Sequence, residues 1–239
     1  MHDQDFKHTP ITTNRLLGAL PARELERLFP DLEEVELKFG TNIYDLNGTI
    51  GHVYFPNSGI ISLLAAVEES STLEVGLVGL EGMAGLPLFL GVKESRVQAI
   101  VQGKGTAMRM KAADFEKECR NGGGLPRLLL RFCHSMTVQI SQSAVCFRFH
   151  VIEMRLARWL LMTSDRMETN EFQMTQDFLS NMLGVRREAV NHAAISLQRK
   201  GIIAYSRSNI IIIDHPGLEA CACKCYTILR DEEARPTNN

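Results

Sequence analysis

The side chains best suited to chemistry gather late in the chain. Arg186, Arg187, Glu188, Asn191 and His192 fall within two helical turns, and Val190, Ala194 and Leu197 recur beside them at helical spacing. A helix from Arg186 to Lys200 would bury those three apolar residues and turn the polar set outward from its N-terminal end. Arginine offers two parallel donors to guanine O6 and N7, glutamate accepts from cytosine N4, and Asn or His contacts a neighbouring base edge. Each good pair is worth about 1 to 3 kcal/mol of discrimination. An ordinary solvated helix start has the same composition as Arg186-Arg187-Glu188, so the tripeptide acquires meaning only from its surroundings.

No other group makes a comparable case. Neither Gly79-Leu80-Glu81-Gly82 nor Gly82-Met83-Ala84-Gly85 is followed by the Lys-Ser/Thr of a phosphate loop, and no Ser/His/Asp or paired-carboxylate arrangement stands out. The reading is therefore of a non-enzyme, with no catalytic residue, cofactor or metal ligand assigned. The 6 cysteines include no CxxC pair. Cys221, Cys223 and Cys225 would share one face of a strand but scatter around a helix, and they read as small buried thiols rather than zinc ligands.

The elements that position the polar set follow from punctuation. Thr175 is a good N-cap for a helix from Gln176 to Met182, Leu183-Gly184-Val185 makes a corner, and Gly201 ends the second helix. Gly184 suits the corner because a tight link between two helices calls for a left-handed residue. The runs Ile202–Tyr205 and Asn209–Ile213, joined by Ser206-Arg207-Ser208, read as a hairpin wing whose Arg207 would touch phosphate. Ahead of this unit, Val151–Met167 reads as an amphipathic helix with Ile152, Leu156, Trp159 and Leu160 on one face and Glu153, Arg155 and Arg158 elsewhere; a polar link over Glu168–Gln173 follows it.

Further upstream, Leu32 to Met110 breaks into short β-rich runs: Val35–Lys38, Asn42–Asp45, His52–Phe55, Ile60–Val67, Leu73–Val78, Arg96–Gln102 and Thr106–Met110. Gly- and Asn-containing turns separate them, which suggests a small antiparallel roll. A short helix, Pro21–Leu28, precedes it. Asn121-Gly122-Gly123-Gly124 breaks the chain before a helix from Pro126 to about Phe149. There Leu129, Cys133, Met136, Ile140, Ser143 and Phe147 follow a heptad seam, fit either for pairing two chains or for lying on the roll.

The 239-residue chain, with 45% apolar and 23% charged residues, has a globular composition. Its net charge of -2 is slightly acidic over residues 1–149 and slightly basic over 150–230, an excess too small to hold a polyanion by charge alone. Asn47 and Asn57 interrupt the uncharged stretch between Leu46 and Glu68, which excludes a membrane span there. Residues 1–10 carry Asp3 and Asp5 where a signal peptide needs an apolar run, so a cytoplasmic protein is expected.

Thr175-Gln176-Asp177-Phe178-Leu179 followed by Leu183-Gly184-Val185-Arg186-Arg187-Glu188-Ala189-Val190 resembles the DNA-binding signature of the Crp/Fnr transcription regulators. The match continues through Leu197-Gln198-Arg199-Lys200-Gly201-Ile202-Ile203. The short strands, the Gly82-Met83-Ala84-Gly85-Leu86 loop and the Val97–Val101 run are similar to the family's cyclic-nucleotide-type roll. The resemblance implies an α+β fold: an antiparallel, jelly-roll-like sensor roll over residues 14–123, a dimerisation helix over 124–149 and a winged helix-turn-helix over 150–230. It also implies a homodimer on palindromic double-stranded DNA, with half-sites about 10 base pairs apart, and RNA polymerase as a partner. Arg187 and Glu188 fall where the family reads base edges, Asn191 where some members touch a base, and His192 on a base-contacting position usually held by Arg.

Members that bind cyclic AMP carry a Gly-Glu in the roll loop and, about a dozen residues on, an Arg-Ser for the cyclic phosphate. Here Gly82-Met83 and the reversed pair Ser95-Arg96 stand in those places. An Arg displaced by one residue on a strand points to the opposite face, which disfavours cyclic AMP and leaves the small-molecule effector unidentified. The first cysteine is Cys119, too late for the N-terminal cluster ligands of iron-sulfur members, and His52 is the one histidine in the roll. The competing reading is a small-molecule or cyclic-nucleotide sensor whose C-terminal unit binds a protein.

Overall fold

The computed structural model describes residues 12–68, 71–206 and 208–235; residues 1–10, with Asp3 and Asp5, lie outside them. The chain opens with α1 (Arg15–Gly18) and α2 (Ala22–Leu28). Seven strands follow: β1 (Glu33–Leu37), β2 (Asn42–Tyr44), β3 (His52–Pro56), β4 (Ile60–Glu68), β5 (Ser71–Val78), β6 (Gln98–Gly103) and β7 (Gly105–Lys111). They form two antiparallel sheets, β1-β7-β3 and β2-β6-β4-β5. Alternation decides what faces inward: on β3, Val53 and Phe55 are buried while His52 and Tyr54 are partly exposed. The roll's core joins them to Ile61, Val78, Ala99, Val101, Met108 and Met110.

Helix α3 (Ala112–Asn121) closes the roll and was not legible as a helix, having only Phe115 and Glu118 as buried positions. Gly122 and Gly123, both at positive φ, turn the chain into α4 (Gly124–Phe149). This helix begins two residues ahead of the expected Pro126. Its first turn is held by the Glu24 carboxylate, whose Oε2 accepts from Gly124 N at 2.7 Å and takes the place of a local cap.

The heptad seam divides in two. Leu129, Met136 and Ser143 are buried on the chain's own roll, with Phe132, Gln139 and Cys146 beside them. The Gln139 amide clamps β5, accepting from Leu77 N at 2.5 Å and donating to Leu77 O at 3.2 Å. Gly82 makes the close approach possible, since a Cβ there would stand 2.1 Å from the Phe132 ring. The outward stripe is instead Leu130, Cys133, Thr137, Ile140 and Ala144, still at heptad spacing and continued by exposed Phe149 and Val151.

Helix α5 (Ile152–Met167) departs from the amphipathic expectation: Arg155 and Arg158 are buried along with Leu156, Trp159 and Leu160. It is packed on both sides, so its polar face also needs partners. Arg155 Nη2 donates to Leu183 O and its guanidinium lies 4.7 Å from the Phe147 ring centroid; Arg158 Nη2 donates to Ser143 Oγ at 3.0 Å. Arg166 bridges Glu81 of the roll, at 2.9 Å, and Glu233 near the C-terminus.

The remainder is β8 (Glu171–Gln173), α6 (Gln176–Leu183), α7 (Arg187–Arg199), β9 (Ile203–Ser206), β10 (Asn209–Ile212), α8 (His215–Cys221) and α9 (Lys224–Glu233). The supposed polar link over Glu168–Gln173 supplies β8, which pairs with β10 to make the wing a three-stranded sheet, β8-β10-β9. Phe172 is its single buried residue, too weak a pattern to read in advance. Among the described residues, no helix is long and apolar enough to cross a membrane.

Candidate nucleic-acid interface

The helix-turn-helix is assembled from local signals. Thr175 caps α6, its Oγ1 accepting from Phe178 N at 3.1 Å. Gly184 ends α6 at φ 59°, ψ 43°, the left-handed conformation that the corner demands. A Cβ at Gly184 would also stand 2.4 Å from Leu73 Cδ1 of β5, so the corner seats against the roll. The Arg155 guanidinium, bonded to the Leu183 carbonyl, adds a cation at the helix C-terminus, where it is electrostatically favoured. Phe178 meets Phe39 of the roll with ring centroids 5.4 Å apart.

Helix α7 buries Val190, Ala193, Ala194 and Leu197. Arg186, its N-cap, and Arg187, Glu188 and His192 are exposed, and Asn191 is half-buried. The polar set is thus brought together on one outward end of the helix, with the α6 cap Thr175, itself exposed, nearby. Arg207 at the wing tip lies outside the described residues.

Gln176, which sequence reading passed over, ties this set together. Its Oε1 accepts from Arg187 Nε at 3.0 Å, and its Nε2 donates to Asn191 Oδ1 at 3.0 Å. Gln176 therefore sets the posture of both Arg187 and Asn191. Asp177 approaches Arg187 Nη1 at 3.5 Å, a pair so exposed that it is worth under about 1 kcal/mol and yields readily to a stronger acceptor. The missed signal was a side chain beside a cap, facing residues eleven and fifteen positions later.

The four positions of the expected effector pocket differ in exposure and in partners. Met83 and Ser95 are buried, and the Ser95 hydroxyl donates to Val97 O at 2.6 Å. Arg96 is exposed and its Nη1 donates to Asn47 Oδ1 at 3.0 Å. Gly82 lies under Phe132. A cleft of about 470 Å³ lies elsewhere, against α1, α4 and α9, with Arg15, Phe132 and Glu232 among its walls.

Residues 154–221, which contain this unit, match the family model of the Crp-like helix-turn-helix domain. The chain is 27% identical over 219 residues to the transcriptional regulatory protein btr of Bordetella pertussis, covering 84% of this chain and 86% of that one. The C-terminal unit is a Crp-like helix-turn-helix domain. Solved structures agree on the fold of the chain. A Crp/Fnr-family protein from Eubacterium rectale superposes with a TM-score of 0.69 at 18% identity, over 87% of this chain and 97% of its own. FixK2 from Bradyrhizobium japonicum does so with 0.68 at 16% identity, over 80% and 98%. The family is one of DNA-binding transcription regulators, not of enzymes.

The three late cysteines do not share one environment, and two of them are buried as expected. Cys221 is half-buried at the end of α8, whereas Cys223 and Cys225 are buried at the start of α9 and meet Cys146 and His150 from the end of α4.

Proposed function

We propose that the regulator reads double-stranded DNA sequence-specifically through the first two turns of α7, with Arg186, Arg187, Glu188, Asn191 and His192 toward base edges. Thr175 at the α6 cap and Arg207 at the wing face phosphates. One observation carries this reading: the polar residues at the start of α7 are exposed together, while its opposite face is sealed into the core. Arg187 is held by its Nε on Gln176, which leaves the terminal nitrogens to form a bidentate pair with guanine.

The regulator acts as a homodimer on a palindromic site, and the support is the exposed stripe on α4: Leu130, Ile140, Val145 and Phe149 form an apolar face on a helix whose other side is already packed. In this reading residues 14–123 sense, 124–149 dimerise and 150–230 bind DNA, in the cytoplasm and together with RNA polymerase. The roll is not specialised for cyclic AMP, a view supported by the outward Arg96 and the buried Met83 and Ser95. Fluorescence anisotropy on a palindromic duplex tests the whole. Affinity should fall log-linearly and steeply with salt, and Arg187→Ala should weaken cognate binding about 5- to 150-fold with the dimer intact. Binding to a protein partner, indifferent to salt, with no DNA affinity, would overturn the proposal.

A further inference from the structure

Two short motifs from distant parts of the chain meet at one point. Cys146 lies in the last turn of α4, and His150, its C-cap, follows four residues later on the same side. Cys223 is the N-cap of α9 and Cys225 lies in its first turn. Cys146 Sγ is 3.5 Å from Cys223 Sγ, and Cys225 Sγ is 3.6 Å from His150 Nδ1. All four donor atoms lie within 4.8 Å of one another, with the three thiols buried and His150 half-buried.

A tetrahedral ion with Zn–S near 2.3 Å and Zn–N near 2.0 Å places its ligands about 3.8 Å apart for sulfur pairs and about 3.6 Å for a sulfur and a nitrogen. The observed separations approach that figure. A disulfide needs sulfurs about 2.05 Å apart and would engage only two of the four groups. A multi-iron cluster needs its ligand sulfurs spread around the cluster's own sulfides, wider than this gathering allows. We propose that Cys146, His150, Cys223 and Cys225 form a closed tetrahedral site for one Zn²⁺ ion that joins the end of α4 to the start of α9.

Charge points the same way. Three thiolates and a neutral imidazole around a dication carry one net negative charge. Buried Arg158 lies against the Cys146 sulfur, and buried Arg155 faces the sulfurs of Cys146 and Cys223. The Nε atoms of both arginines have no hydrogen-bond partner. Arg158 also acts on the Glu74 carboxyl, which is already bonded to Ser62 and Trp159. A buried cation needs a compensating anion, and the zinc-thiolate group supplies one. All four coordination positions come from the protein, so the ion is structural. It fixes the bend at His150–Val151, between α4 and α5.

The test uses the full chain purified under reducing conditions without chelator. Metal analysis should find about one zinc per chain, released by thiol modification. Replacement by Co²⁺ should give sulfur-to-cobalt charge transfer and the visible bands of a tetrahedral ion. Cys225→Ser and His150→Ala should each weaken Zn²⁺ binding by more than the about 10- to 100-fold typical of removing an outer-shell partner. Cys221→Ser, whose thiol lies 4.0 Å from Lys200 Nζ and outside the site, should bind as the parent does. A reduced parent chain without zinc and without cobalt bands would overturn the proposal, whatever the variants do. So would an intact mass two hydrogens light from a Cys146–Cys223 bond, or unchanged Zn²⁺ affinity in Cys225→Ser.

Discussion

Glu74 on β5 is the buried acid that couples the roll to α5, and its neutralisation should stabilise the chain in a pH-dependent way. Its Oε1 accepts from Trp159 Nε1 of α5 at 2.8 Å, and its other oxygen lies 2.7 Å from Ser62 Oγ. Ser62 also donates to Gln102 Oε1, whose amide nitrogen donates to Thr163 Oγ1 of α5 at 3.1 Å. Ser62 has one hydroxyl proton, so with Gln102 in this orientation a protonated Glu74 completes the chain by donating to Ser62. Burial, opposed by the bonds from Ser62 and Trp159 and by Arg158 and Arg166, pushes the carboxyl from its ordinary 4.5 up to about 7. The unfolded chain therefore ionises first as pH rises. The associated stability is fully present below about pH 4.5, declines as pH climbs, and is gone above about pH 7.

A shift of this size is worth about 3 kcal/mol, equivalent to about 6 to 12 °C in Tm for a chain of this length. Glu74→Gln keeps an oxygen for Trp159 and an N–H for Ser62 without the ionisation. The measurement is thermal unfolding of both proteins from pH 5 to pH 8. The gap between the two melting temperatures should widen in favour of Glu74→Gln as pH rises, then level off above pH 7. A gap that stays constant across that range would refute the reasoning.

Three further outcomes follow from the geometry. Ile140→Glu, on the outward stripe of α4, should shift the chain from dimer to monomer in light scattering at low micromolar concentration while its melting temperature changes little; a persistent dimer would move the interface elsewhere. Gly82→Ala places a methyl group against the Phe132 ring and should cost about 1 to 3 kcal/mol in denaturant unfolding, by overpacking. An unchanged midpoint would mean that α4 does not press on the loop this closely. Gln176→Ala should weaken specific DNA binding several-fold with little effect on non-specific binding, because it frees Arg187 and Asn191 without removing either; equal losses on both kinds of DNA would contradict the positioning role.

Legibility followed the range of the forces. The corner at Gly184, the Thr175 cap and the buried face of α7 are local matters of backbone conformation and period, and a reading of the residues sufficed for them. The seven roll strands were legible for the same reason, within two or three residues at each end. The heptad on α4 was legible as a repeat but not as a face, since Leu129 and Met136 turn inward only because Gly82 lets Phe132 and the roll come close. The burial of Arg155 and Arg158, placed only off the apolar face, was not legible because only tertiary packing reveals a helix covered on both sides. The meeting of Cys146 and His150 with Cys223 and Cys225 has no local signature at all, as it depends on where α9 docks.

Selection of binding sites from a random duplex pool, run in parallel with the parent chain and with Arg187→Ala, tests the role of α7 most directly. The parent should enrich a two-fold symmetric sequence with half-sites about 10 base pairs apart, and Arg187→Ala should lose preference at one base in each half while keeping the spacing. Identical consensus sequences from the two proteins, or no enrichment by the parent, would contradict it.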